Sequence, residues 1–317
     1  MKKRYIKYLL FVAAFLGCAS ANAQQDPQFT QYMYNMSVIN PAYATDSEGV
    51  INLGGLYRTQ WVGAVGAPKT ATFFAHSPIA KNVETGLSFV NDAIGDVVKE
   101  NSIYADFAYV IPVSQTAKIS LGVKGGVTFF DADFTGFQYT DAQTDPLFEQ
   151  QKTKTFPNVG AGAYYFTDHY YIGLSAPNLL ETKHIGNKSA NNIRTTGVEE
   201  IHYFLTGGYV FDLNPNLKFK PAFMAKGVSG APLSFDLTAN VLVNNFIEGG
   251  IGYRFDDSVS GLVNVYITPS LRIGYAYDYT LSHLKQYNSG THEIFLLFDL
   301  DFSGLKSKGY DKSPRFF

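Results

Sequence analysis

Side chains able to do chemistry are sparse in this sequence and poorly spaced for it. Six histidines, His76, His169, His184, His202, His283 and His292, are the natural candidates for metal ligation or proton transfer. They are scattered, with no H-E-x-x-H pair, and the sequence carries neither a G-x-S-x-G nucleophile elbow nor a phosphate-binding P-loop. Asp131, Asp133, Asp141 and Asp145 crowd one segment and would attract calcium. They lack the fixed spacing of a calcium loop, which favours a solvated acidic loop. Glycine-rich pieces at Gly122–Gly126 and Gly160–Gly162 sit inside strand-like patterns rather than ahead of a helix, where glycine serves close backbone packing. The single cysteine, Cys18, excludes a disulfide framework and a thiolate zinc site. The sequence therefore offers no catalytic, cofactor-binding or metal-ligating set, and a non-enzymatic protein is expected.

Composition limits the classes that remain. A formal charge of −2 excludes a nucleic-acid binder working by bulk charge. Mean hydropathy of −0.06 excludes a polytopic helical membrane protein. The anomaly is aromatic content: 22 tyrosines and 26 phenylalanines in 317 residues, when charged residues make up 16%, below the usual quarter or so. One soluble core does not need that many rings.

The first twenty-three residues have the form of an export signal. Lys2, Lys3, Arg4 and Lys7 precede an apolar run from Tyr8 to Gly17, and Ala21-Asn22-Ala23 supplies a cleavage site. The run is too short to span a bilayer as a helix. Cys18 offers a rival lipoprotein site, but Phe15-Leu16-Gly17 before it fits poorly. Removing the four basic residues shifts the formal charge from −2 to −6.

Two-residue periodicity then recurs from Val50 to Phe302. In Leu271–Tyr279 one face carries Leu271, Ile273, Tyr275, Tyr277 and Tyr279; the other carries Arg272, Gly274, Ala276 and Asp278. Lys118–Phe130 and His292–Phe302 alternate in the same way. A soluble sandwich alternates too, but its polar face is usually rich in Lys, Glu and Thr. Here that face is mostly Gly, Ala, Ser and Asn. Segments of about ten residues suit strands tilted across a bilayer, and aromatics near their ends (Tyr57, Tyr109, Tyr164, Tyr165, Tyr209, Tyr253 and Tyr279) suit interfacial girdles. Fourteen segments emerge, near 49–58, 69–77, 82–92, 98–111, 116–130, 156–166, 169–175, 200–212, 216–226, 233–243, 246–256, 259–267, 270–280 and 292–302. Odd-numbered joints include long ones (59–68, 131–155, 176–199, 281–291), whereas even-numbered joints are tight. Long loops on one side and short periplasmic turns on the other describe an outer-membrane protein. The expected fold is all-β: a 14-stranded antiparallel transmembrane β-barrel over 49–302, with a signal peptide at 1–23, an N-terminal leader at 24–48 and a periplasmic tail at 303–317.

The inward face carries Lys124, Lys218, Lys220, Lys226, Arg254 and Arg272 together with Asp106, Asp236, Glu248, Asp278, Glu293 and Asp299. A watery interior tolerates charges that lipid would penalise. Such a wall either braces itself by pairing opposite charges or holds a peptide such as the leader; its mixed signs give no ion-selective ring. The leader, with Phe29, Tyr32, Tyr34, Tyr43 and an Asn40-Pro41 break, is either a disordered segment or packs against the inner wall or the periplasmic mouth. The tail, ending Ser313-Pro314-Arg315-Phe316-Phe317, is a docking peptide or a loose end. Trp61, on a Gly/Ala-rich outer joint beside Arg58, is either a partner anchor of the kind that dominates interfaces or part of the outer girdle.

Asp26-Pro27-Gln28-Phe29-Thr30-Gln31-Tyr32 and Asn40-Pro41-Ala42-Tyr43-Ala44 resemble the opening of PorP/SprF-family proteins. Tyr57-Arg58-Thr59-Gln60-Trp61, Gly66-Ala67-Pro68-Lys69-Thr70 and the closing Ser-Pro-Arg-Phe-Phe are similar to that family as well. The resemblance implies an outer-membrane protein of Bacteroidota associated with the type IX secretion system. Its implied partners are outer-membrane lipid, a secreted surface adhesin with a type B C-terminal domain as in gliding motility, and secretion components that extend to periplasmic motor or peptidoglycan-associated proteins. The implied function is to assist export of that cargo or anchor it at the surface. A passive channel or transporter for small solutes is the alternative, because fourteen strands enclose room for a pore unless something fills it.

Overall fold

Alternation is the dominant local signal, and the backbone follows it. The computed structural model describes residues 27–45, 49–133, 152–189 and 192–302, with the backbone alone for 182–189 and 192–199. In chain order the strands are β1 (Val50–Thr59), β2 (Pro68–Ala80), β3 (Val83–Ile94), β4 (Val98–Pro112), β5 (Lys118–Ala132), β6 (Lys152–Phe166), β7 (Tyr170–Ala176), β8 (Thr182–Ser189), β9 (Asn192–Glu199), β10 (His202–Tyr209), β11 (Phe211–Asn214), β12 (Leu217–Val228), β13 (Ser234–Val243), β14 (Ile247–Arg254), β15 (Ser258–Thr268), β16 (Leu271–Thr280) and β17 (Thr291–Asp301). The expected signal peptide and tail, including Arg315, Phe316 and Phe317, lie outside the described residues, as do Asp141 and Asp145.

Neighbouring strands pair antiparallel all the way round. β1 meets β17 in continuous register from Val50↔Asp301 to Thr59↔His292. β10 and β11 are two halves of one stave, interrupted at Val210, and both pair with β12. The result is a closed barrel of fourteen staves. The fourteen expected segments correspond to these staves, differing most at β6, which begins at Lys152 because its pairing with β5 continues to Ala132↔Lys152. The joint between β7 and β10, expected as a loop, carries a hairpin of its own, β8 with β9.

The two faces of each stave invert the usual order of a soluble protein. Outward positions such as Leu87, Val123, Leu174 and Ile251 are between 57% and 69% exposed, the apolar band that lipid requires. Inward positions such as Lys124, Lys220, Glu248 and Asp278 are buried. Rings mark both rims. Near the short turns, Tyr165, Tyr170, Tyr209, Phe211 and Phe219 form a ladder with successive centroids 4.2 to 6.1 Å apart. Near the long joints, Phe235, Phe255 and Tyr253 pack together at 4.9 to 5.5 Å. These girdles absorb much of the aromatic excess.

The rest of that excess is inside. Residues 27–45 run through the lumen as a short 3-10 turn (Tyr32–Tyr34), one turn of α-helix (Met36–Ile39) and extended chain. Pro41 cannot continue a helix and holds the residue before it out of helical geometry; Asn40 is extended, with φ −130° and ψ 111°. The hydrophobic core of the molecule lies between this segment and the wall. It joins Phe29, Tyr32, Met33, Tyr34, Met36 and Ile39 to Leu56, Tyr164, Tyr171, Phe204, Met224 and Phe295. The direction of the leader is informative. Pro27 and Gln28 share a cavity with Gln60, Trp61 and Asp257 of the outer joints, whereas Thr45 bonds to Glu84 near the short β2–β3 turn. The leader thus traverses the whole barrel, beginning at the mouth opposite the one where β1 starts.

Candidate functional site

Four sets of contacts hold the leader, and each uses wall residues that alternation turns inward. The first is a clamp near the outer mouth. Arg58 of β1 donates to Asp278 of β16 and Glu293 of β17, both at 3.0 Å, and to the Thr30 hydroxyl at 2.8 Å. Thr30 donates its hydroxyl to Asp278 at 2.6 Å, and the backbone N–H groups of Thr30 and Gln31 donate to Glu293 at 2.9 and 2.7 Å. Ser260 completes the Asp278 shell at 2.7 Å. Arg58 is 2% exposed, so a buried cation meets two buried carboxylates with most of its donors used.

The second set is central. The Tyr34 hydroxyl donates to Glu248 of β14, which also accepts from Lys220 at 2.6 Å and from Asn240 and Asn264 at 3.1 Å each. The Tyr34 ring stacks on Phe295 with centroids 4.5 Å apart, and the Arg272 guanidinium lies 5.8 Å from it. Such networks stabilise strongly when every member is satisfied and fail badly when one is removed.

The third set receives the end of the helical turn. Its last carbonyls have no partner within the helix, and the wall supplies them: Lys124 donates to the Val38 carbonyl at 2.7 Å and Ser175 to that of Ile39 at 2.9 Å. Lys124 also faces Asp106 at 3.7 Å. Below it, Asn40-Pro41 sits in a recess made by missing side chains. A Cβ at Gly122 would collide with the Pro41 carbonyl, and one at Gly162 with the Asn40 side chain. Asn40 donates to the Ala163 carbonyl at 3.2 Å and accepts from Ala42 N–H at 2.9 Å. The fourth set, near the inner mouth, packs Tyr43 against His76 and Tyr164 at 5.5 and 5.7 Å.

Arg58, grouped from sequence with the outer joint as a partner contact, instead lies in the lumen and binds the leader. Phe29, Tyr32 and Tyr34 are buried against the barrel's own wall, with Tyr43 partly buried beside them. Trp61 remains at the outer mouth, partly exposed, lining a cavity of about 570 Å³. Of the charged wall residues, Lys124, Lys220, Arg272, Asp278 and Glu293 surround the leader, and Arg254 pairs with Asp236 at 2.6 Å while donating to the Phe29 carbonyl at 3.4 Å. Lys226 lines an inner chamber of about 90 Å³ beside Phe29 and Val38. Asp299 lines a smaller one beside Met33, and Lys218 pairs with Asp212 at 3.8 Å at the inner rim, both half exposed. Sequence reading missed Thr30, Gln31 and Asn264; it assigned Gly122 and Gly162 to close backbone packing but not to a recess for the leader. Their signal was an inward row of very small residues opposite a segment rich in aromatics.

Solved structures that resemble this one are outer-membrane barrels. The Ralstonia pickettii toluene transporter TbuX is 12% identical with a TM-score of 0.52, over 90% of this chain and 97% of that one. The CymD monoaromatic hydrocarbon channel is 10% identical with a TM-score of 0.50, over 86% and 93%. These likenesses concern the fold. No curated protein sequence matches the chain significantly. The family model described as type IX secretion system membrane protein PorP/SprF matches residues 21–298. With the barrel architecture, that match places the protein in the outer membrane and in type IX secretion. The chain belongs to the PorP/SprF family of type IX secretion system membrane proteins.

Proposed function

We propose that this barrel is a plugged, non-enzymatic anchor that retains a secreted partner at the outer face, the partner being a type IX cargo with a type B C-terminal domain such as a gliding adhesin. The observation that carries the reading is the leader. A segment bonded to the wall at both mouths and in the middle turns a potential pore into a solid post, and a solid post suits holding better than conducting. The tail, with Lys306, Lys308, Lys312 and Arg315, is assigned to contacts with periplasmic components of the machinery, and cleavage after Ala23 to export of the chain. Deleting the gene should strip one specific adhesin from the cell surface. Unchanged display would sink the reading.

A passive channel is the second reading. It is favoured by the outer cavity and the inner chamber, which share Pro27, Gln28, Asp92 and Ser234 in their linings, and by the transport roles named for TbuX and CymD. Planar-bilayer recording separates the two: the anchor is nearly silent, whereas steady openings of the intact chain favour transport.

A further inference from the structure

The outer mouth holds a vestibule that the leader does not fill. Its volume, about 570 Å³, lies within the range of roughly 300–1,000 Å³ typical of ligand sites. Its floor is the leader itself, at Pro27 and Gln28, and its walls come from three outer joints and the strand ends beside them.

Two features give it chemical character. The first is Trp61. Its φ is +47°, a region that bulky side chains rarely enter and that persists where surrounding structure over-determines it, commonly at functional positions. That structure is visible: Trp61 N–H donates to Thr291 at 3.0 Å, its carbonyl accepts from Ala64 at 3.0 Å, and Val62 N–H donates to the Gly290 carbonyl at 2.8 Å. The fold keeps Trp61 on the cavity wall. The second feature is charge. Among the described residues the lining has three carboxylates, Asp92, Asp256 and Asp257, against one guanidinium, Arg254. Arg254 is already engaged by Asp236 at 2.6 Å and Asp257 at 3.2 Å, so Asp92 and the exposed Asp256 leave the chamber negative.

We propose that this vestibule docks an extended, arginine- or lysine-bearing peptide segment of the exported partner. Apolar and guanidinium planes of the peptide stack on Trp61, and its cations face Asp92 and Asp256. Its negative character disfavours phosphate and acidic headgroups. The proposal rests on the anchoring function and specifies where and by what chemistry the partner is held.

Trp61 is the single tryptophan, so its emission reports occupancy in the full-length barrel. The probes are two synthetic peptides without tryptophan, each fluorescein-labelled for anisotropy and identical apart from arginines in one and glutamates in the other, both with a central Phe-Pro. The arginine peptide should shift the emission and bind more weakly as salt rises; the glutamate peptide should do neither. Trp61→Ala should weaken binding about thirtyfold, the scale of an interfacial aromatic hot spot, and Trp61→Phe should restore most of it. Asp92→Asn with Asp256→Asn should cost up to about tenfold and flatten the salt dependence. Binding of both peptides alike, of neither, of the glutamate peptide preferentially, or unaltered by Trp61→Ala overturns the proposal. Cells separate the two ideas. If gene deletion strips the adhesin but Trp61→Ala with Asp256→Asn leaves it displayed, anchoring stands and the vestibule falls; display unchanged by deletion removes the anchoring function itself.

Discussion

Replacing Arg58 with methionine keeps an unbranched apolar stem and removes the charged guanidinium. The substitution deletes three bonds, to Thr30 at 2.8 Å and to Asp278 and Glu293 at 3.0 Å each, and leaves two carboxylates, 3% and 1% exposed, without their cation. Breaking a buried pair by removing one partner costs about 3–5 kcal/mol, most of it the penalty of the stranded charge. Neutralising the stranded groups as well, in Arg58→Met with Asp278→Asn and Glu293→Gln, should recover most of that loss, because a buried ionic cluster replaced whole is often near neutral. The assay is chymotrypsin cleavage in the leader, whose Phe29, Tyr32 and Tyr34 are buried in the closed state. Where opening is a fast pre-equilibrium, cleavage follows the open population. The single variant should therefore be cut between about a hundredfold and a few thousandfold faster than the parent, and the triple variant at close to the parent rate. A single variant as resistant as the parent, or a triple variant cut faster than the single, would refute the reasoning.

Other outcomes follow from the same geometry. Gly122→Val places a side chain where the Pro41 carbonyl sits; overpacking of about 1–3 kcal/mol should push the leader out of its recess, read as new conductance in planar bilayers, whereas Gly261→Val, with open space at its Cβ, should remain silent. Tyr34→Phe removes the phenol that Glu248 and Asn264 share and should lower stability to urea by about 1.5–3 kcal/mol, the range for a bond to a charged group. Ile251→Arg, on the outward face at 69% exposure, should cost about 2–4 kcal/mol if it meets the mid-bilayer, while Val65→Arg on the first outer joint should leave folding unchanged; refolding yields into lipid vesicles compare them.

The wall was legible because lipid and lumen impose opposite demands on successive residues. Leu271–Tyr279 states both faces of β16 in nine letters. The site was less legible, for a physical reason. Charges such as Lys124 and Glu248 can be assigned to the lumen by parity, but parity does not say what they meet there. The leader carries no periodicity of its own: its turns are too short to show a face, and all sides of Tyr32, Met33 and Met36 are buried. Its place is fixed by contacts hundreds of residues apart, such as Thr30 with Glu293, at a separation of 263. Arg58 illustrates the difficulty. In sequence it borders the first outer joint, and a single pleat turns it inward.

Glu293 stands directly opposite Arg58 where the first and last strands meet, and both also bond to Thr30. That seam joins the first and last strands of the barrel. Its inner surface is completed by the leader, which precedes β1 in the chain. Contacts between chain ends are the slowest to form, because the loop closed is the longest. In this molecule the segment that fills the lumen also braces the seam, since Thr30 bonds to Arg58 on β1 and to Glu293 on β17.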